Sequence, residues 1–257
     1  MQKRTFTFIA LSVVLIVASC GVSIAESQKV FPNQPWPQYG NISPLPGGGI
    51  ALDSSGSADG LGAFQINIPV AYTPGQGFMN LSAYAGNYCN GLSQPFGNGS
   101  GVFGMGFGNT TRVYMSGMQV SHVLKEAKAL SGQVLLFPET SGRPAISFGT
   151  QDILFKEPHG RSYYGVATKK LSMSGKTIYA SVGYGDGRFL FKPFAGVSLP
   201  IGEKYNFATE WDGFQINGGV TFRPGGRYGR YTFLGGYNGQ SGWLAGVGSV
   251  FNYGPKN

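Results

Sequence analysis

The feature that most constrains this chain is a two-residue alternation of apolar with polar or glycine positions, starting near Gly60 and recurring almost to the carboxy terminus. In "FQINIPVAY", Phe64, Ile66, Ile68, Val70 and Tyr72 alternate with Gln65, Asn67, Pro69 and Ala71. "FGMGF" sets Phe103, Met105 and Phe107 against glycines. "FQINGGVTF" sets Phe214, Ile216, Val220 and Phe222 against Gln215, Asn217, Gly219 and Thr221. Successive side chains of a strand point to opposite faces, so each run reads as a strand with one apolar and one polar face. Asp212-Gly213 and Asn238-Gly239 are two-residue hairpin signals, and Asp186-Gly187 lies in a further tight turn. "RPGGR" and "LPIGEK" serve as slightly longer turns, so the strands follow one another up and down.

Two architectures use such a pattern. A soluble sandwich turns its apolar face inward and carries charge outside, whereas a membrane barrel turns its apolar face to lipid and keeps a polar interior. Here composition decides. Charged residues make up only 12%, about half the usual share, while glycine is 43 of 257 and aromatics are 14%. The polar faces carry Gly, Asn, Gln, Ser and Thr more often than Lys or Glu, and aromatics recur near strand ends. Closure would also satisfy every strand edge, as lipid demands.

The amino terminus carries an export signal. Lys3 and Arg4 precede "FTFIALSVVLIVAS", which is of signal-peptide length and short for a spanning helix. Residues 1–25 are therefore read as a signal peptide. "VASCG" resembles a lipobox, which would make Cys20 the lipidated first mature residue, while "SIA" before Glu26 is an acceptable ordinary cleavage site. Only lipidation gives Cys20 a role. At most Cys20 and Cys89 survive cleavage, so no disulfide framework is expected. Residues 26–59, rich in Pro and Gly, are read as a periplasmic tether, the alternative being a plug entering a barrel lumen. Residues 60–253 are assigned to the barrel and 254–257 to a tail.

A span takes about 10 residues plus turns, so the barrel should hold about 12 strands, within a range of about 10 to 14. "SHVLKEAKALSG", Ser121 to Gly132, fits a short helix or a strand equally well. The last run, "WLAGVGSVFNY", puts Trp243, Ala245, Val247, Ser249, Phe251 and Tyr253 on one face. "GVGSVFNY" resembles the carboxy-terminal assembly signal of outer-membrane barrels, which Gly248, Phe251 and Tyr253 match. If the last strand returns to the periplasm, Trp211, Phe214, Phe222, Trp243 and Phe251 face lipid. Glu210, Gln215, Asn217 and Arg223 then face the lumen. Lys169 and Lys192 also fall on the less apolar faces of their strands and are taken as lumen-facing. On this register Val220→Arg should damage assembly far more than Thr221→Arg.

A narrower likeness spans roughly Lys125 to Pro224. "RPAISFGTQDI", "SYYGVATKKL", "IYASVGYGDG" and "KPFAGVSLPIGEKYNFATEWDGFQINGGVTFRP" resemble the serial hairpins of the YjbH-like outer-membrane family. Pro144, Gly149 and Asp152 match a Pro-led strand ending in Gly and Asp. Tyr164, Val166, Ala167 and Lys169 match a Y-x-V-A-(S/T)-K strand. Glu210, Asp212, Asn217 and Gly219 match an E-x-D hairpin followed by Asn and Gly. The resemblance implies a role in exopolysaccharide production or export.

Catalysis finds little support. His122 and His159 are the only histidines, and no HExxH, GxSxG, Walker or paired-Cys metal motif is present. Ser121 and His122 would point to opposite faces of a strand. No catalytic, cofactor-binding or metal-binding residue is assigned, and a barrel-embedded lipid hydrolase is the minority alternative. Of the net charge of +8, Lys3 and Arg4 account for two. The remaining cations are dispersed, which argues against nucleic acid. The expected partners are outer-membrane lipids, the barrel assembly machinery, and anionic glycans or other envelope proteins. The leading expectation is an outer-membrane barrel acting as an envelope component or narrow pore linked to exopolysaccharide. The first alternative is a purely structural barrel.

Overall fold

Twelve antiparallel strands close into a barrel, in which each strand pairs with its neighbours in sequence and the first pairs with the last. The structure is a computed structural model that describes residues 42–86, 99–122, 125–154, 161–239 and 242–253, without the side chains of 119–128. The strands are β1 Phe78–Gly86, β2 Gly99–Phe107, β3 Val113–His122, β4 Lys125–Phe137, β5 Ala145–Gln151 and β6 Ser162–Met173. They continue as β7 Lys176–Gly185, β8 Lys192–Ile201, β9 Tyr205–Trp211, β10 Ile216–Phe222, β11 Tyr231–Asn238 and β12 Gly242–Asn252. Closure joins Phe78 to Asn252 and Gly86 to Leu244 in one antiparallel ladder, which leaves no unpaired sheet edge. β1 begins and β12 ends at one rim, called proximal below; the opposite rim is distal.

Alternation sorts the side chains as the sequence suggests. Along β1, Phe78, Asn80, Ser82 and Tyr84 are buried inside, while Leu81, Ala83 and Ala85 are exposed outside. Phe103 and Phe107 of β2, Phe148 of β5, Val182 and Tyr184 of β7, Val197 of β8 and Phe233 of β11 are exposed on the same outer surface. The inner surface is built from hydroxyls and amides, among them Ser116, Gln133, Ser147, Thr168, Ser181, Ser198 and Asn206, all buried. The register slips once, between Leu135 and Phe137 on β4.

The described residues of the undecided segment Ser121 to Gly132 are strand: they supply the end of β3 and the start of β4, paired from Ser121↔Glu126 to Met115↔Gly132. The Asp212-Gly213 and Asn238-Gly239 turns lie at the distal rim and "RPGGR" at the proximal rim, as the up-and-down order requires.

Two boundaries differ from expectation. The barrel starts at Phe78, not near Gly60, and "FQINIPVAY" is not a barrel strand. Phe64, Ile66, Ile68, Val70 and Tyr72 are fully buried, and so are Gln65 and Asn67 on the alternate positions. An extended segment inside a ring is covered on both faces, so alternation along it no longer separates wet from dry. The described part of the expected tether is also inside: Ile42, Leu45, Ile50, Ala51 and Leu52 are buried. Residues 42–77 form a plug.

Candidate functional site

The site is the filled lumen. The plug folds first on itself. Ser43 N donates to Ile66 O at 2.7 Å, Leu52 and Ala63 exchange both backbone hydrogen bonds at 2.9 and 2.8 Å, and Val70 N donates to Pro46 O at 2.9 Å. Asp53 closes the proximal turn, its Oδ1 accepting Ser55 N at 2.8 Å and Ser57 N at 3.0 Å. The "PLPGGG" turn needs its glycines: Gly49 has φ +69°, and a Cβ there would lie 2.4 Å from the Tyr84 hydroxyl.

No strand partners most of the remaining plug backbone, and buried peptide groups must be satisfied. Wall side chains do this. Ser116 Oγ donates to Pro44 O at 2.6 Å, Gln133 Nε2 to Val70 O at 2.9 Å, and Ser147 Oγ to Ala71 O at 2.7 Å. Ala71 N donates to Thr168 Oγ1 at 2.8 Å and Phe64 N to Ser198 Oγ at 3.3 Å. Asn206 Nδ2 donates to Gly62 O at 2.5 Å, and Arg223 Nη1 to Ala58 O at 2.8 Å. Tyr72 OH donates to Glu139, whose carboxylate also accepts from Lys170 N at 2.9 Å and pairs with Lys169 Nζ at 3.3 Å. Burial, and then the Glu139 carboxylate, push the Tyr72 phenol well above its ordinary value.

The strongest grip is at Glu210, on the inner face of β9 and 3% exposed. Its Oε1 accepts Asn67 N at 2.6 Å and Asn217 Nδ2 at 2.9 Å, while Oε2 accepts Ile66 N at 2.8 Å and Ile68 N at 3.4 Å. Three successive plug amides thus converge on one carboxylate, the arrangement of a backbone anion nest. Asn217, directly opposite Glu210 on β10, also donates to Asp212 Oδ2 at 3.1 Å and accepts Gly239 N at 2.8 Å. Asp212 Oδ1 in turn accepts Phe214 N at 3.1 Å and Gln215 N at 2.9 Å. The clamp therefore ties the plug to two distal turns. The chain matches no family model and no curated protein. The lumen geometry is the evidence for function.

Glu210, Gln215 and Asn217 lie on the inner side, and Arg223 reaches the plug at the proximal rim. Lys192 sits on the inner side of β8 at the distal mouth, its ammonium 4.1 Å from the centre of the Phe214 ring. Phe214 accordingly lies in the 212–215 turn and not on an outer strand face. Lys169 is also misplaced by the sequence reading: Ser162, Tyr164, Val166 and Thr168 occupy the inner face of β6, so Lys169 is on the other face. It lies beyond the start of β5, where its ammonium donates to the carbonyls of Thr140 and Ser141. Trp211 and Trp243 are exposed on the outside, and Phe222 and Phe251 share that surface half-buried. Gly248 faces inward, where a Cβ would stand 3.1 Å from the Ile50 side chain. Tyr253 follows β12, and its hydroxyl donates to Gly106 O at 2.6 Å. Cys20, Cys89, His159 and the side chains of Ser121 and His122 lie outside the described residues.

Sequence reasoning missed Ser116, Gln133, Glu139, Ser147, Thr168 and Ser198 as plug ligands. Their signal was the scarcity of charge on the polar faces, which suits a lumen filled by peptide as well as it suits a barrel. One plug group stays unmatched: both side-chain amide atoms of Gln65 are buried without a hydrogen bond to any described group, against Gly196.

Proposed function

We propose that the protein is an outer-membrane β-barrel held shut by its own segment 42–77, an envelope component and not an open pore. The single observation that carries this reading is the buried plug, whose backbone is hydrogen-bonded to the lumen wall. The exposed apolar outer surface and strands of 7 to 13 residues support the membrane placement, since a tilted spanning strand needs about 9–11. The leader and the final aromatic strand support export and recognition by the barrel assembly machinery. Lipidation at Cys20 belongs to the same proposal and would add a second membrane attachment.

The link to exopolysaccharide production or export rests on the YjbH-like hairpins. Glu210, Asp212 and Asn217, three of the matching residues, are those that clamp the plug. On this reading the barrel acts by holding a defined closed wall to which envelope proteins or anionic glycans attach, without catalysis.

Planar-bilayer recording on the purified full chain tests closure. The expected result is insertion without stable conductance, and steady openings of the unmodified protein would reject it. A second test uses Ala63→Cys, a position fully buried in the plug, in a Cys89→Ser background so that the new thiol is the one read. The thiol should resist a water-soluble maleimide in the native barrel and react on unfolding.

A further inference from the structure

We infer that the proximal outer surface of β9 to β12 is a binding sector for the phosphate headgroup of an anionic phospholipid. Among the described residues, exposed charge is unequal between the two rims. Arg143, Lys170, Lys204, Arg227 and Arg230 are exposed at the proximal rim, where Glu203 is the one exposed carboxylate among the described residues. At the distal rim every charged side chain among the described residues is buried or half-buried.

Three of the five exposed cations fall in one sector, above a run of outward aromatics. Tyr205, Phe222 and Phe233 line up across β9, β10 and β11, with ring centres 5.1 and 6.3 Å apart. The Arg230 guanidinium lies 4.8 Å from the centre of the Tyr231 ring and 6.0 Å from that of Phe251, and Nη2 donates to the Tyr231 hydroxyl at 2.7 Å. Arg227 stacks at 4.6 Å on Tyr228, and Lys204 precedes Tyr205 at the adjoining turn. Among the described residues, no carboxylate forms an ion pair with Lys204, Arg227 or Arg230.

Aromatic rings settle at the level of lipid headgroups, and an arginine stacked on one is held there with most of its N–H fork still unused. That fork matches phosphate oxygens in pairs. A free phosphate ion would meet only half of this surface, because the rings below the cations need acyl chain or glycerol to cover them. A bilayer lipid supplies both parts, and charge complementarity selects the anionic one.

The inference rests on the membrane reading above, and one experiment separates the two. The full chain is reconstituted in phosphatidylcholine vesicles with spin-labelled phosphatidylglycerol or spin-labelled phosphatidylcholine as the probe. Absence of any motionally restricted lipid would overturn the membrane reading itself. With insertion established, wild type should prefer phosphatidylglycerol by about fivefold, the effect of a single basic residue near a membrane surface, or more. The preference should fall to that for phosphatidylcholine in the Lys204→Gln, Arg227→Gln, Arg230→Gln triple variant, and persist in the distal control Arg161→Gln. Salt at about 0.5 M should remove it from wild type, an arm that requires no variant to fold. Equal selectivity for both lipids by inserted wild type, or full selectivity in the triple variant, would overturn the assignment. Displacement of the lipid by soluble glycerol phosphate would also reject it, in favour of a free-phosphate site.

Discussion

At the scale of single residues, Glu210 does work that no uncharged side chain can copy. A glutamine would present one oxygen and one NH2 group where four N–H donors now converge. At least one donor would then face another donor inside a packed lumen. Glu210→Gln should loosen the plug by about 2 kcal/mol, the usual range for an unsatisfied buried group. Hydrogen exchange at the Ile66, Asn67 and Ile68 amides would read this as protection lost there while the β6–β7 ladder stays protected. Uniform exchange across the barrel, or none, would contradict the clamp.

Tyr72 makes a different prediction, one of pH. Its phenol is raised in the folded state, first by burial and then by Glu139. A group raised on folding stabilises fully below its unfolded value, near pH 10, and loses that contribution as pH climbs above it. Wild type should therefore lose stability more steeply than Tyr72→Phe between about pH 9 and pH 11.5. Urea unfolding at several pH values would check this, and parallel slopes would show that the phenol does not titrate with unfolding.

At the scale of elements, neither face of a strand accepts an added charge, which differs from what a wet lumen would predict. A wet lumen would have accepted Thr221→Arg. Thr221 is 2% exposed and sits opposite Asn206, which holds Gly62 of the plug, so arginine there is as disruptive as at Val220. A cleaner contrast pairs Val197, exposed on the outer face of β8, with Glu203 in the turn that follows. Val197→Arg should cost about 2–4 kcal/mol near the midplane, whereas Glu203→Arg in the exposed turn should cost almost nothing. The yield of folded barrel in detergent would decide between them, and equal yields would place the apolar surface outside the membrane.

The same elements show what was legible in the sequence. The existence of β1 to β12 and the facing of most of their residues followed from period two, because each face meets different surroundings, while the count of about 12 came from the length of a span. A plug was the alternative reading of residues 26–59, but the part of it from Gly60 to Gly77 was illegible for the complementary reason. "FQINIPVAY" has the alternation of a strand, but its peptide groups bond to side chains such as Glu210, Thr168 and Gln133, more than 60 positions away. Nothing local distinguishes a chain hydrogen-bonded by a neighbouring strand from one hydrogen-bonded by a surrounding wall. Lys169 departs from its expected lumen position for a related reason: it lies one residue beyond the pairing of β6 with the shorter β5, which frees it to cap the 138–144 turn.

For the molecule as a whole, integrity depends on the seam between β1 and β12. Gly246 lies there under Tyr84, where a Cβ would stand 2.1 Å from the Tyr84 ring and 2.6 Å from Ala83 O. Because the second contact is backbone, rotation of the ring alone cannot relieve it. Gly246→Val should lower seam stability by about 1–3 kcal/mol, an overpacking cost. The readout is heat-modifiable gel migration: the variant should convert to the slow form at a lower temperature than wild type. An unchanged conversion temperature would mean that unfolding starts elsewhere.

The position of the plug in the chain, just ahead of β1, also bears on how the ring can close. Its last residue, Gly77, leads directly into the strand that must wait for β12, the final strand, before the ring can shut. While the other hairpins form between sequence neighbours, the plug has only an open, curving sheet to lie against, and each new strand brings further ligands for it. Ser116 and Gln133 become available with β3 and β4, Thr168 with β6, and Glu210 with β9. A chain that gathered these contacts in sequence order would bridge the long closure loop from within and offset part of the entropy of bringing β1 to β12. The segment that blocks the finished barrel is also a tie that joins β3, β4, β6 and β9 across its interior.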